Sequence, residues 1–257
     1  MFWSTPTCPV EEEDKLWLEE SMEWLLEEFG SDAFRAVTVI LPTDEFFPDS
    51  YSADEEDARV LIERVCGYLN LNPDLLELEF FQDEYREASR KICMLESSAE
   101  GAAGHYQKRR NKFVVSLESS QLEDPMCLVA TIAHELGHVR LLGEGRLHAG
   151  YEDHEPLTDL LTVFFGLGIF TANSAFSFEQ WTGASSQGWQ TERRGYLTED
   201  MFGYALALFA LMRGERNPPW SKYLKGSVST YFKSAQRYLE KSGDAAKLSQ
   251  LLGESVK

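Results

Sequence analysis

The stretch EDPMCLVATIAHELGHVRLLGEG, residues 123–145, decides how the chain is read. Asp124 is a residue type whose side chain accepts hydrogen bonds from the first free amides of a helix. Pro125 suits the first helical position, where no N–H is needed. Gly143 suits a C-terminal stop. Between them the spacing predicts a helix of about eighteen residues. Within it, His134-Glu135-Leu136-Gly137-His138 sets two imidazoles four residues apart. Side chains at that spacing stand one above the other on one helix face, so both rings can converge on a single point. Two neutral imidazole nitrogens there supply half of a zinc site, with bonds of about 2.0–2.1 Å. Glu135 lies about 100° further round the helix. It flanks the ion without ligating it, where a base for an activated water belongs.

Five histidines in 257 residues produce an HExxH match by chance in about 1 % of such chains, so context has to carry the reading. Zinc needs a third protein ligand, and a catalytic site leaves the fourth position to water. The candidates are His105, His148, Asp153, His154, Glu155 and Asp159. Glu155 and Asp159 are four apart on a helix beginning near Asp153, so they share a face. Glu155 is the expected third ligand. Asp159 can then accept a hydrogen bond from the non-metal nitrogen of His134 or His138 and fix its tautomer. His154 is the alternative third ligand, because an imidazole there sits almost as close. Pro156 falls in the first turn, where it removes only an amide that has no helical partner.

Outward from this centre, residues 11–29 read as an amphipathic helix, with Leu18, Met22, Leu25 and Phe29 at helical spacing and Gly30 as its stop. AVTVIL (36–41) has the β-branched content of a buried strand closed by Pro42. A helix is expected from about Ala53 to Tyr68, with Ser52 and Glu55 as its capping box. LELEFF (76–81) alternates like a strand. GAAGHYQKRRN (101–111) reads as a turn or short strand leading into the strand KFVVSL (112–117). Another helix is expected from Asp153 to about Ile169. Its LLTVFFGLGIF (160–170) is apolar all round, yet too short to span a bilayer. WTGASSQGWQTERRG (181–195) reads as a mobile loop, and Thr198 opens the apolar helix MFGYALALFALM (201–212). Asn217-Pro218-Pro219 interrupts the chain, and helical pattern returns from about Ser227. Strands and helices therefore fill the first half and mostly helices the second. The class is α+β: a small mixed sheet packed on the HExxH helix, followed by a mainly helical C-terminal half.

The 24 Lys and Arg against 43 Asp and Glu leave a net charge of -19. All of that excess sits in the first hundred residues, which hold 26 acidic and 7 basic side chains. Such a balance argues against nucleic acid and against an anionic membrane as partners, since both need a basic surface. Cys8, Cys66, Cys93 and Cys127 show no CxxC spacing, so neither a disulfide framework nor a thiolate zinc site is expected. The opening MFWSTPTCPVEEED has no basic and apolar run of the secretory kind, and a cytoplasmic location is the expectation.

HExxH followed on a later helix by Glu-x-x-x-Asp resembles the gluzincin branch of the zincin metallopeptidases, the thermolysin-like pattern. The likeness runs from Asn111 to Phe170. It is similar also to the minimal bacterial HExxH domains, in which a strand and a DP-containing turn lead into an AHELGH helix. The resemblance implies zinc held by His134, His138 and Glu155, water activated by Glu135, and a ligand histidine supported by Asp159. It implies a zinc-dependent hydrolase, most simply a metallopeptidase with a peptide or protein substrate. The strand 112–117 then becomes a sheet edge on which extended peptide pairs. The expected organisation is an N-terminal helix (1–30), a zincin-like core (31–180), and a loop and helical portion (181–257) packed on that core. HEPLTD stands here in place of the usual Asn-Glu-x-x-x-Asp, and no motif marks a transition-state donor. His148, Tyr151, Arg193, Tyr196 and Tyr204 are candidates for it. The alternative function is a catalytically silent zincin-like binding or regulatory module.

Overall fold

The structure, a computed structural model, describes residues 6–81, 108–109, 112–148, 150–182 and 196–243. The chain gathers into two compact units. One comprises Thr43–Thr158 and a segment beginning at Ser177. The other comprises the chain up to Pro42, Asp159–Phe176 and the chain from Tyr196.

The 43–158 unit holds the mixed sheet and the HExxH helix. Helix α3 (Glu55–Tyr68) precedes strand β1 (Leu76–Phe81), and the two-residue strand β2 (Lys108–Arg109) precedes β3 (Lys112–Glu118). The sheet order is β1-β3-β2. β1 runs parallel to β3 from Leu76↔Phe113 to Phe81↔Glu118, and β2 pairs antiparallel with Lys112 and Phe113. β3 is therefore the central strand, not the edge expected of it. From Val114 onward its side away from β1 has no strand partner among the described residues. Alternation along β3 buries Phe113, Val115 and Leu117, and helix α4 (Pro125–His138) packs against that strand and against α3. α4 is apolar nearly all round, as a helix enclosed by neighbours must be.

The start of α4 follows the sequence reading: Asp124 accepts from the amides of Met126 and Cys127, both at 3.1 Å, and Pro125 opens the helix. Its end does not. After His138 the chain makes one π turn, Val139–Gly143, and Glu144 N–H reaches back to the Val139 carbonyl. The stop is Gly145, at φ +71°, with Gly145 N–H bonded to Leu142 and Arg146 N–H to Leu141, a Schellman motif. α3 is likewise capped two residues later than its sequence suggests. Asp54 accepts from the amides of Glu56 and Asp57, and Asp57 returns the bond.

The other unit is helical among its described residues. α1 (Glu12–Phe29) buries Leu18, Met22 and Leu25, and ends where Gly30 turns to φ +88° with its N–H on the Leu26 carbonyl. α2 (Ser31–Ala36) follows. Residues 37–41 belong to no sheet, contrary to the strand expected at 36–41. Their partner is a helix end. α5 (His154–Phe164) stops well short of Ile169, in a second Schellman motif: Gly166 at φ +80°, its N–H on Val163, and Leu167 N–H on Thr162. Ile40 N–H then bonds to the Gly166 carbonyl at 2.9 Å. β-branched side chains favour extended backbone without dictating what pairs with it. The part of α6 (Gly168–Thr182) up to Phe176, α7 (Glu199–Met212) and α8 (Gly226–Ser242) complete the unit. A Cβ at Gly203 of α7 would meet Tyr231 Cβ at 2.5 Å, so that glycine sets how closely α8 approaches. Residues 183–195, most of the expected loop, and residues 82–107 lie outside the described residues. No helix among the described residues is long and apolar enough to cross a membrane.

A glycine test separates backbone strain from steric crowding. A Cβ at Gly166 would lie 2.4 Å from the Thr38 carbonyl oxygen, whereas one at Gly145 meets nothing within 4 Å. Gly145→Ala is expected to cost about 1 kcal/mol from left-handed strain alone. Gly166→Ala should cost about 3 kcal/mol, because the clash adds to the strain. Urea unfolding of the two variants checks the difference.

Candidate metal centre

Helix geometry brings the two motif histidines together. Their side chains are buried on α4, the ring centroids are 4.8 Å apart, and the planes are near perpendicular at 89°. Across from them stands the first turn of α5, where the Asp153 carbonyl accepts the Leu157 N–H and Pro156 occupies a position whose amide is not needed. That turn presents Glu155. Its Oε2 lies 2.9 Å from His134 Nε2 and 3.4 Å from His138 Nε2. One ligand atom from each of the three residues falls within 4.8 Å of the others. A tetrahedral ion with bonds of about 2.0–2.1 Å holds its ligand atoms about 3.3 Å apart, so the separations from Oε2 suit one shared zinc-sized ion. Two imidazoles and a carboxylate are also a donor set that zinc accepts. The cluster can bind a metal ion.

The electrostatics divide the two glutamates. Burial by itself would raise the Glu155 carboxyl, but hydrogen bonds and charge from His134 and His138 outweigh it and hold the group well below the usual carboxylate range. Glu155 is thus an anion ready to ligate. Glu135 moves the other way: burial pushes its carboxyl up, the two histidines oppose this, and the Glu155 charge adds to it. Glu135 keeps partial exposure and is not one of the three converging ligands. This is the placement expected of a residue beside an ion rather than on it.

The remaining residues named from the sequence are distributed unevenly. His154 Nδ1 is 3.5 Å from Glu155 Oε1, and its ring centroid is 5.7 Å from that of His138. Burial, the largest influence, lowers its pKa. It lies outside the three-residue cluster. Asp159 is buried, and its Oδ2 accepts the Leu197 N–H at 3.0 Å. His148 is exposed, with its Nδ1 accepting from Gly150 N–H. Tyr151 is exposed too. Tyr204 is wholly buried in the helical unit, where it donates to Glu19 Oε1 at 2.6 Å. Asp153 serves α5 through its backbone carbonyl. His105 and Arg193 lie outside the described residues.

One residue was missed. Thr158 is wholly buried on α5, with its hydroxyl 3.2 Å from His138 Nδ1 and 2.7 Å from the His154 carbonyl. The available signal was a threonine four residues after His154, the spacing at which a hydroxyl can bond back to a helix carbonyl.

Zinc titration in competition with a chromophoric chelator should find one ion per chain. His138→Ala is expected to lower the affinity by at least about 100-fold, as loss of one of three ligands requires. His148→Ala should leave it unchanged. No protein-family model, curated protein or solved structure matches the chain, and the convergence of His134, His138 and Glu155 is what assigns it a possible metal site.

Proposed function

We propose that the chain is a zinc-dependent hydrolase, most simply a metallopeptidase acting on a peptide or protein substrate. The observation that carries this reading is the juxtaposition of two different carboxylates at one pair of histidines. Glu155 is anionic and faces both Nε2 atoms, while Glu135 flanks them with a raised pKa. A site meant only to hold an ion needs the first of these and not the second.

In the proposed site His134 and His138 offer Nε2, and Glu155 offers Oε2. The chemistry that zinc supplies when bound there is Lewis acidity, which makes water acidic near neutral pH and polarises a carbonyl. Glu135 takes the proton of the attacking water on its carboxylate and hands it to the departing amine. Burial pushes its carboxyl up, the direction that suits a group which must both accept and release a proton. Asp159 is proposed to orient a ligand histidine, in keeping with the gluzincin resemblance. Tyr204 is spent on Glu19 in the helical unit, so it is a poor choice for the oxyanion donor. The alternative, a non-cleaving module on the same metal site, draws its support from the lack of an assigned donor.

Glu135→Gln discriminates the two. With a fluorogenic peptide library and zinc-loaded protein, the variant is expected to lose about 10²–10⁴-fold in rate while binding zinc as wild type does. Zinc lost together with activity contradicts the role of base, and wild type that turns over no peptide favours the non-cleaving module.

A further inference from the structure

We infer that Thr158 is a positioning residue for the metal site, and that its hydroxyl holds His138 with Nδ1 as its donor, so that Nε2 is the nitrogen offered to an ion. The inference rests on the metal-site reading above. Thr158 carries one hydroxyl proton, and its oxygen has two neighbours within bonding distance. The nearer, at 2.7 Å, is the His154 carbonyl, which can only accept. That bond uses the proton. Toward His138 Nδ1, at 3.2 Å, the threonine oxygen is left only its lone pairs, so Nδ1 must carry a hydrogen and donate. With its hydrogen held at Nδ1, the ring is left with Nε2, the atom that faces Glu155 Oε2, as the nitrogen it can offer to an ion.

Thr158 has no exposed surface and His138 retains 4 %, so water has little access to the bond between them. The His154 carbonyl is a backbone atom of the same helix turn that carries Glu155. The orientation of His138 and the position of its partner ligand are therefore set by one rigid element. A carboxylate is the usual partner for the distal nitrogen of a ligating histidine, but a carbonyl or another acceptor serves the same purpose. Here a hydroxyl acts as an acceptor because a carbonyl has claimed its proton.

Three variants of the full chain test this by zinc competition with a chelator and by thermal melting of the metal-free protein. Thr158→Val keeps the shape and removes the acceptor, and should weaken zinc binding about 10–100-fold with the metal-free melting temperature close to that of wild type. Thr158→Ser restores the hydroxyl without the methyl and should bind zinc within about threefold of wild type on the same scale. If Thr158→Val does not fold, Thr158→Ala carries the same expectation. Wild-type affinity in Thr158→Val, or an affinity in Thr158→Ser as low as in the Val variant, overturns the inference and leaves the metal site standing. Wild type that binds no zinc overturns both.

Discussion

The constraint on which the site depends is the burial of two imidazoles in a helix that is otherwise apolar. α4 buries Leu128, Val129, Ala130, Ile132, Ala133 and Leu136 along with His134 and His138. A buried ring nitrogen left without a partner costs about 1–3 kcal/mol. The first turn of α5 supplies the partners: Glu155 for His134 Nε2 and Thr158 for His138 Nδ1. A carboxylate is tolerable there because a helix N-terminus favours negative charge and because two histidines hold it low in pKa. The path from α4 to α5 follows from this requirement. The π turn and the Gly145 motif end the first helix, and the Asp153 carbonyl starts the second.

What was legible in the sequence is what local chemistry decides. Asp124-Pro125 announced the start of α4, Gly30 the end of α1, and the strands β1 and β3 came from short apolar runs between turn residues. The HExxH spacing placed both imidazoles on one side of α4, and the i, i+4 relation pointed to the first turn of α5 for Glu155. The errors share a cause: they occur where a partner distant in sequence chooses between local options. Residues 37–41 have strand-forming side chains, but the group that takes the Ile40 amide is the carbonyl of Gly166, more than a hundred residues away. The apolar run 160–170 reads as one helix because its pattern is uninterrupted, yet Gly166 breaks it to let that backbone approach. The π turn displaced the end of α4 from Gly143 to Gly145, since a wider turn takes in extra residues that no cap residue signals.

Thr158 illustrates a deeper limit. A threonine within an apolar helix is ordinarily explained by a bond back to its own helix, and Thr158 makes that bond to His154. Its second contact exists only because α4 brings His138 alongside. Thr162 shows the ordinary case three residues beyond Asp159: its hydroxyl bonds back to the Asp159 carbonyl and meets Thr171, another buried hydroxyl, and touches neither motif histidine. The two threonines cannot be told apart by sequence spacing. Only the neighbour across the helix pair distinguishes them.

The two glutamates are the support on which the proposed hydrolase rests. They share a side chain and a neighbourhood, and differ in which force dominates. At Glu155 direct hydrogen bonds to imidazole overcome the cost of burial, and the group stays ionised. At Glu135 burial prevails over the attraction of the same two rings, and Glu155 itself contributes to the rise. Sites that perform acid–base work separate the pKa values of like groups in this way, and the proposed function draws on that separation. Helix geometry underlies it: the residue after His134 points about 100° further round α4, while Glu155 faces both rings from α5.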